Sequence, residues 1–374
     1  MDTLGLYLHV PFCLSKCAYC DFCSFPAVGA DTRHRYALAL LAEMTARAKD
    51  FHGHTVNSVF FGGGTPTLLS FDDFAMLLNG IRAHFALAPD AEVTVECNPK
   101  TADAAYFRAL RACGVNRLSI GMQSANDEEL IALGRAHRHE DLLRAVHDAR
   151  EAGFVNINLD LMFGIPHQTV ESFARTLDAA IALAPTHLSV YSLQIEEGTP
   201  FYDNRASLPL PSEEEEEAMA DLLHAHLADA GYGRYEISNY AKEGYECRHN
   251  LCYWKMGNYL GLGIAAHSLV GDRRFYNRED LGAYLENPLL LSEEEERLTP
   301  DEYEFEYVML ALRLARGIEE DAFLATFGHG FFEKYGARLA PYLKKGLAVR
   351  KEGRVYLSDK GMALSNAILA DILD

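Results

Sequence analysis

Short apolar runs alternate with longer amphipathic stretches over the first two-thirds of the chain. The runs at 5–10 (GLYLHV), 56–61 (VNSVFF), 92–97 (EVTVEC), 115–120 (VNRLSI), 154–162 (FVNINLDLM) and 187–193 (HLSVYSL) are rich in Val, Ile, Leu, Phe and Tyr and are bounded by turn residues, the pattern of strands. Residues 33–49, 103–112, 139–152 and 170–184 instead space their apolar positions for one face of a helix. Alternation at this spacing predicts parallel βα units. Six units make an α/β fold, either a partial barrel or a doubly wound sheet, and both put ligands at the C-terminal strand ends.

Beyond residue 240 the pattern changes. Residues 1–240 form the predicted α/β unit, 241–298 a connecting region, and 299–374 a small C-terminal α+β domain in which helices surround a hairpin wing, LAVRKEGRVYLS at 347–358. Ser212 ahead of Glu213–Glu217 has capping-box spacing to Glu215, and Ser292 ahead of Glu293–Glu296 reads as a helix start in the same way. Thr299-Pro300-Asp301-Glu302 opens a further helix.

Charge narrows the function classes. The 374 residues carry a formal net charge of −20, which argues against a nucleic-acid partner, since such a surface must neutralise phosphates. The wing therefore reads as a packing or partner element. No apolar run approaches the roughly 18–20 residues that span a bilayer, so no transmembrane segment is expected, while peripheral membrane contact stays open. Met1-Asp2-Thr3 does not begin a secretory signal, and the expected location is the cytoplasm. Eight cysteines in a reducing compartment are no disulfide framework, and four of them fall between Cys13 and Cys23, which points to a metal.

Cys13, Cys17 and Cys20 have C-x₃-C-x₂-C spacing just after the first strand. Thiolates bind iron–sulfur or zinc centres. Three thiolates on a four-iron cluster leave one iron open for chemistry, whereas a zinc knuckle would recruit Cys23 as fourth ligand. The other strand exits bear on the choice: Gly62-Gly63-Gly64-Thr65-Pro66-Thr67, Glu96-Cys97-Asn98-Pro99, Gly121-Met122-Gln123, and Asp160 before Gly164-Ile165-Pro166. Polar groups at successive strand ends converge on one side of such a sheet, and a zinc knuckle has no use for them.

Taken together, YLHVPFC-x₃-C-x-Y-C, GGGTPT, ECNP, GMQS, LGRAH and LMFGIP resemble the radical-SAM family of the oxygen-independent coproporphyrinogen III oxidases and their relatives, in order over nearly the whole chain. The resemblance implies a partial (β/α)₆ barrel with a [4Fe–4S] cluster on Cys13, Cys17 and Cys20 and S-adenosylmethionine (SAM) on the open iron. It implies that Tyr7 and Tyr19 flank SAM, that Gly63, Gly64 and Thr65 meet its amino-acid moiety, and that Glu96, Gln123, Arg135 and Asp160 line its pocket.

The branch is the remaining question. The oxidases carry a further cysteine two positions after the third, where this chain has Phe22, with Cys23 one residue later. Cys23 then either assists the cluster or is a small buried thiol. The segment Arg248-His249-Asn250-Leu251-Cys252-Tyr253-Trp254 is similar to the HNxxYW pattern of a haem-chaperone branch. That likeness implies haem as a third ligand, held by His249, Asn250, Tyr253 and Trp254, with acceptor haemoproteins, respiratory ones among them, as partners. An imidazole can be an axial ligand and aromatic faces can pack a macrocycle; Cys247 and Cys252 are alternative ligands, and a turn with core-filling rings is the reading without haem. A site near residue 250 is expected to lie apart from the cluster cavity, leaving that cavity to SAM. The alternative functions are radical decarboxylation of coproporphyrinogen propionates and modification of another tetrapyrrole.

Overall fold

The computed structural model describes residues 2–290 and 292–373. Six parallel strands, β1 (Asp2–Val10), β2 (His54–Gly63), β3 (Ala86–Cys97), β4 (Arg117–Gln123), β5 (Asn156–Phe163) and β6 (His187–Ser192), lie side by side in chain order. Each of the six expected apolar runs has become one of these strands. Helices Ala30–Arg47, Phe71–His84, Ala104–Ala112, His139–Glu151 and Val170–Ala182 provide the crossovers. Phe71–His84 has no counterpart among the helices expected from the pattern. Its first turn is fixed by Ser70, which accepts a hydrogen bond from the Asp73 amide. The strand interiors are fully covered; β4 is buried at every position from Arg117 to Gln123, as expected for a parallel sheet with helices on its outer face.

The six strands do not close on themselves. Tyr259–Leu262 pairs parallel with β1, and His267–Val270, Arg273–Asn277 and Ser292–Arg297 continue antiparallel from it; Asn239–Ala241 and Gly233–Arg234 extend the other edge beyond β6. The sheet thus has 12 strands. The region 241–298, expected as a connection, is woven into it, and Leu260, Leu262, Phe275 and Tyr284 share the main hydrophobic core.

Ser292–Arg297 corrects a sequence reading. Its glutamates do not start a helix but form an edge strand. The neighbouring strand Arg273–Asn277 and the residue after it are basic, and ion pairs join Arg274 to Glu296 at 3.4 Å and Arg278 to Glu293 at 3.0 Å. Cross-strand charge pairing overrides the weak local preference for helix. Ser212, by contrast, does cap Glu213–Asp229 in a reciprocal capping box with Glu215, and Thr299 does the same with Glu302 for Pro300–Ala311.

The C-terminal residues have a second core built on Val308, Leu312, Phe323, Phe331, Leu339 and Val355. The expected wing is there, Ala348–Lys351 paired antiparallel with Arg354–Leu357. A small apolar cluster including Met256, Leu269, Leu298 and Tyr307 joins this domain to the sheet.

Candidate cluster and SAM site

The segment after β1 is pinned at both ends. Phe12–Cys13 pairs with Phe25–Pro26, the Phe25 amide donates to the Pro11 carbonyl at 2.7 Å, and the Ala27 amide to the Cys13 carbonyl at 3.1 Å. Midway, the Ala18 amide donates to the Leu133 carbonyl and the Ala18 carbonyl accepts from the Phe201 amide. Cys13, Cys17 and Cys20 are half-buried free thiols. The Thr65 hydroxyl donates to the Cys13 sulfur at 3.9 Å, and Arg135 Nη1 to the Cys17 sulfur at 3.5 Å. Burial raises the Cys13 thiol and pushes that of Cys20 up to about 11, a cost to their thiolate forms that a bound cation would offset.

The turn after β2 packs against this loop. The Gly64 amide donates to the Val10 carbonyl at 2.9 Å, and a Cβ on Gly64 would stand 2.6 Å from the Phe12 carbonyl oxygen, so only glycine fits there. Gly63 has φ +107° and donates its amide to Glu96 Oε2 at 3.1 Å. Burial first, then Asp160, pushes the Glu96 carboxyl up to about 8. Asp160 is likewise raised by burial, although Ser119 Oγ and Asn158 Nδ2 donate to it at 3.1 and 2.8 Å. Gln123, at the end of β4, holds φ +62°, a conformation that costs a non-glycine residue about 1–3 kcal/mol. Arg135 also donates Nη2 to the Gly121 carbonyl at 3.3 Å, while its buried Nε has no partner among the described residues.

These groups surround one cavity of about 470 Å³ at the C-terminal strand ends. Cys13, Cys17, Cys20, Tyr19, Gly63, Gly64, Thr65, Glu96, Gln123, Arg135 and Asp160 all line it. The volume suits one ligand of nucleotide size. Tyr7 is the exception among the expected residues. It lines a smaller cavity of about 180 Å³ below, whose wall shares Glu96, Ser119, Asp160 and Tyr191 with the larger one. The sequence reading missed Asn98, Ser119, Tyr191, Gln194 and Glu196 as lining residues. The polar positions that β6 and its exit place at a strand end, Tyr191, Ser192 and Gln194, were the available signal.

The donor set fits an iron–sulfur cluster. Three thiols face a cavity, and two receive hydrogen bonds from a cation and a hydroxyl, the outer interactions that tune such sulfurs. Among the described residues no three His, Cys, Asp or Glu side chains could share a single metal ion; tetrahedral zinc needs all its thiolates about 2.3 Å from one ion. Cys23 packs against the main core, and its backbone carbonyl bonds His9 Nε2 at 3.0 Å. When bound, the cluster and SAM supply one-electron chemistry. The residues that would hold them are Cys13, Cys17 and Cys20 for the cluster and the cavity lining around Gly63, Gly64, Glu96 and Asp160 for SAM.

The HNxxYW segment lines no part of this cavity and borders the smaller one beneath it. It forms the helix Arg248–Trp254, which lies across the N-terminal floor of the strands, directly beneath. Glu92, near the start of the parallel run of β3, accepts from the Arg248 and His249 amides at 3.1 and 3.2 Å. His249 is 1% exposed. Its Nδ1 bonds Ser58 Oγ at 2.9 Å and its Nε2 the Tyr253 hydroxyl at 2.8 Å. Burial first, then Arg117, pushes the imidazole down to about 3, so it is neutral. Both nitrogens are thus engaged in the interior, and His249, Asn250 and Tyr253 line the smaller cavity. Trp254 is half-buried at the end of the helix.

The sequence profile of the radical SAM superfamily matches residues 7–180, and that of the HemN C-terminal domain residues 298–364. The heme chaperone HemW of Mycobacterium tuberculosis is 38% identical over 379 residues, covering 100% of this chain and 95% of that protein. This chain belongs to the HemW family. Other HemW proteins are 43% identical in Escherichia coli, over 72% of this chain and 71% of that one, and 34% in Bacillus subtilis, over 98% of each. Among solved structures, coproporphyrinogen III oxidase (HemN) from Escherichia coli superposes with a TM-score of 0.87 at 27% identity, covering 99% of this chain and 90% of that one. HemW and HemN thus share the architecture, and the sequence places this chain with HemW.

Proposed function

We propose that this chain is a haem chaperone. It holds a [4Fe–4S] cluster on Cys13, Cys17 and Cys20 and SAM in the adjoining cavity against Gly63, Gly64, Thr65, Glu96, Gln123, Arg135 and Asp160. It binds haem and delivers it to acceptor haemoproteins in the cytoplasm or at a membrane surface. The carrying observation is identity to HemW proteins along the full chain. Among the described residues no helix is long and apolar enough to cross a membrane, so membrane contact would be peripheral.

The test uses anaerobically reconstituted protein. Haem titration should give a saturable Soret shift, and incubation with coproporphyrinogen III, SAM and a reductant should leave the propionates intact. The second reading, decarboxylation, is favoured by the superposition on HemN. It replaces the first if coproporphyrinogen III is consumed and haem binding is not saturable.

A further inference from the structure

The HNxxYW helix touches the floor of the barrel at the point where two separate chains of contacts begin, and both end in the upper cavity. The first is a stack of rings. His249 lies 5.2 Å from Phe60 at 23° and 6.4 Å from Tyr7 at 27°, while Tyr253 closes on it edge-on at 4.9 Å. The Tyr7 hydroxyl bonds His9 Nδ1 at 2.9 Å, and His9 Nε2 bonds the Cys23 carbonyl at 3.0 Å. The His9 ring also fills the space beside Gly63, where a Cβ would come within 2.4 Å of it. The stack therefore runs from the floor to the far end of the cysteine loop and to the glycine turn.

The second is a chain of hydrogen bonds. The Cys247 amide donates to the Tyr235 hydroxyl at 3.3 Å, which bonds His187 Nε2 at 2.8 Å. His187 Nδ1 bonds Asn158 Oδ1 at 2.6 Å, and Asn158 Nδ2 donates to Asp160. Every ring nitrogen and amide along the route is committed, so the hydrogen bonds are continuous from Cys247 to Asp160. Between the two routes lies the smaller cavity. Arg117 faces it, 2% exposed and with Nε unpartnered among the described residues.

The fit at the floor is tight from the sheet side as well. Gly5 and Ser58 are register partners on β1 and β2. A Cβ on Gly5 would meet the His249 ring at 3.3 Å, and Ser58 supplies one of that ring's hydrogen bonds. An imidazole held on two nitrogens and two faces has no coordination site to offer iron without dismantling these contacts. A cavity of about 180 Å³ is also below the roughly 300 Å³ at which ligand pockets begin, and a tetrapyrrole is larger still.

We infer that His249 and Tyr253 are positioning residues for the SAM cavity, acting through Tyr7 and His9 on the cysteine loop and the Gly63 turn, and not ligands of haem. This rests on the reading of the upper cavity as the SAM site. Outer groups that orient the groups in contact with a metal or its ligand typically change affinity by about 10–100-fold when removed.

The test is made on the full chain, reconstituted with iron and sulfide under anaerobic conditions, with His249→Ala, His249→Phe and Tyr253→Phe. Iron content, SAM affinity, the change in the reduced cluster's EPR spectrum on SAM addition, and haem affinity are measured together. His249→Ala should keep its iron, bind SAM at least tenfold more weakly and show a blunted EPR response, with haem affinity within about twofold of the parent. His249→Phe restores the ring stack and should recover most of the SAM affinity, which general loosening of the fold would not allow. Tyr253→Phe loses only a hydroxyl, so it reads the same effect in smaller measure if His249→Ala does not fold. The inference is overturned if the variants bind SAM as the parent does, or if haem affinity falls as far as SAM affinity. A parent protein whose EPR spectrum ignores SAM would instead refute the assignment of the upper cavity.

Discussion

Glu96 shows how one side chain carries opposite demands. Its carboxyl is pushed up to about 8, chiefly by burial and then by Asp160. The unfolded group ionises near 4.5, so folding loses stability as pH rises from about 4.5 through 8. Glu96→Gln mimics the protonated form and keeps an acceptor for the Gly63 amide. It should melt at a higher temperature than the parent at pH 9, match it at pH 4.5, and bind SAM more weakly at both; calorimetry and SAM titration at the two pH values check this. Gly64 has the opposite character, a residue with no chemistry and no tolerance. The Phe12 backbone stands where a Cβ would go, so Gly64→Ala must displace either the glycine turn or the strand leading to Cys13. The expected result is loss of SAM binding together with lower iron retention, read by titration and iron assay. Both residues were legible from GGGTPT and ECNP at strand ends. The proton on Glu96 was not, because it depends first on burial by the folded sheet and then on Asp160, 64 positions away in the chain.

At the scale of elements, the cysteine loop separates ligands from bystanders. Cys17→Ala should abolish the roughly four irons per chain expected of the cluster, whereas Cys23→Ala should retain them, because Cys23 packs against the core; colorimetric iron and sulfide assays decide it. The opposite result for Cys23 would revive a four-thiolate site. The elements themselves were readable where one face or both faces are buried. The six apolar runs became β1–β6, and Ser212 and Thr299 capped the helices their spacing announced. Ser292–Arg297 was misread because a glutamate run has a slight helical preference and no pattern of its own. Arg274 and Arg278 on the neighbouring strand and in the residue after it decided its state. Opposite charges placed across strands are worth about 0.2–1 kcal/mol per pair, enough to override so small a bias.

The whole molecule keeps several buried imidazoles neutral. His249 is pushed down to about 3 and His137 to about 4, with burial the leading cause in both, and His9 and His187 are also lowered by burial. Their unfolded values lie near 6.5, so the stability they contribute is present above that pH and is lost as pH falls below it. At pH 5 each of His249 and His137 should cost about 1–2 kcal/mol, and melting curves at pH 7.5 and 5 should show a marked drop. His249→Phe should lessen the drop, since it removes one proton acceptor from the floor. By itself the sequence determined the parallel α/β order of the strands, the caps at Ser212 and Thr299 and the C-terminal hairpin. Each is written in local periodicity or in residues a few positions apart, which short-range sterics and solvation act on directly. Only the tertiary structure decided where HNxxYW lies and what it touches. Nothing within the helix Arg248–Trp254 says whether His249 faces solvent or the interior. Ser58, Phe60, Tyr7 and Glu92 settle it, and the sheet brings these four to the floor from far away in the chain, where a buried imidazole must satisfy both nitrogens.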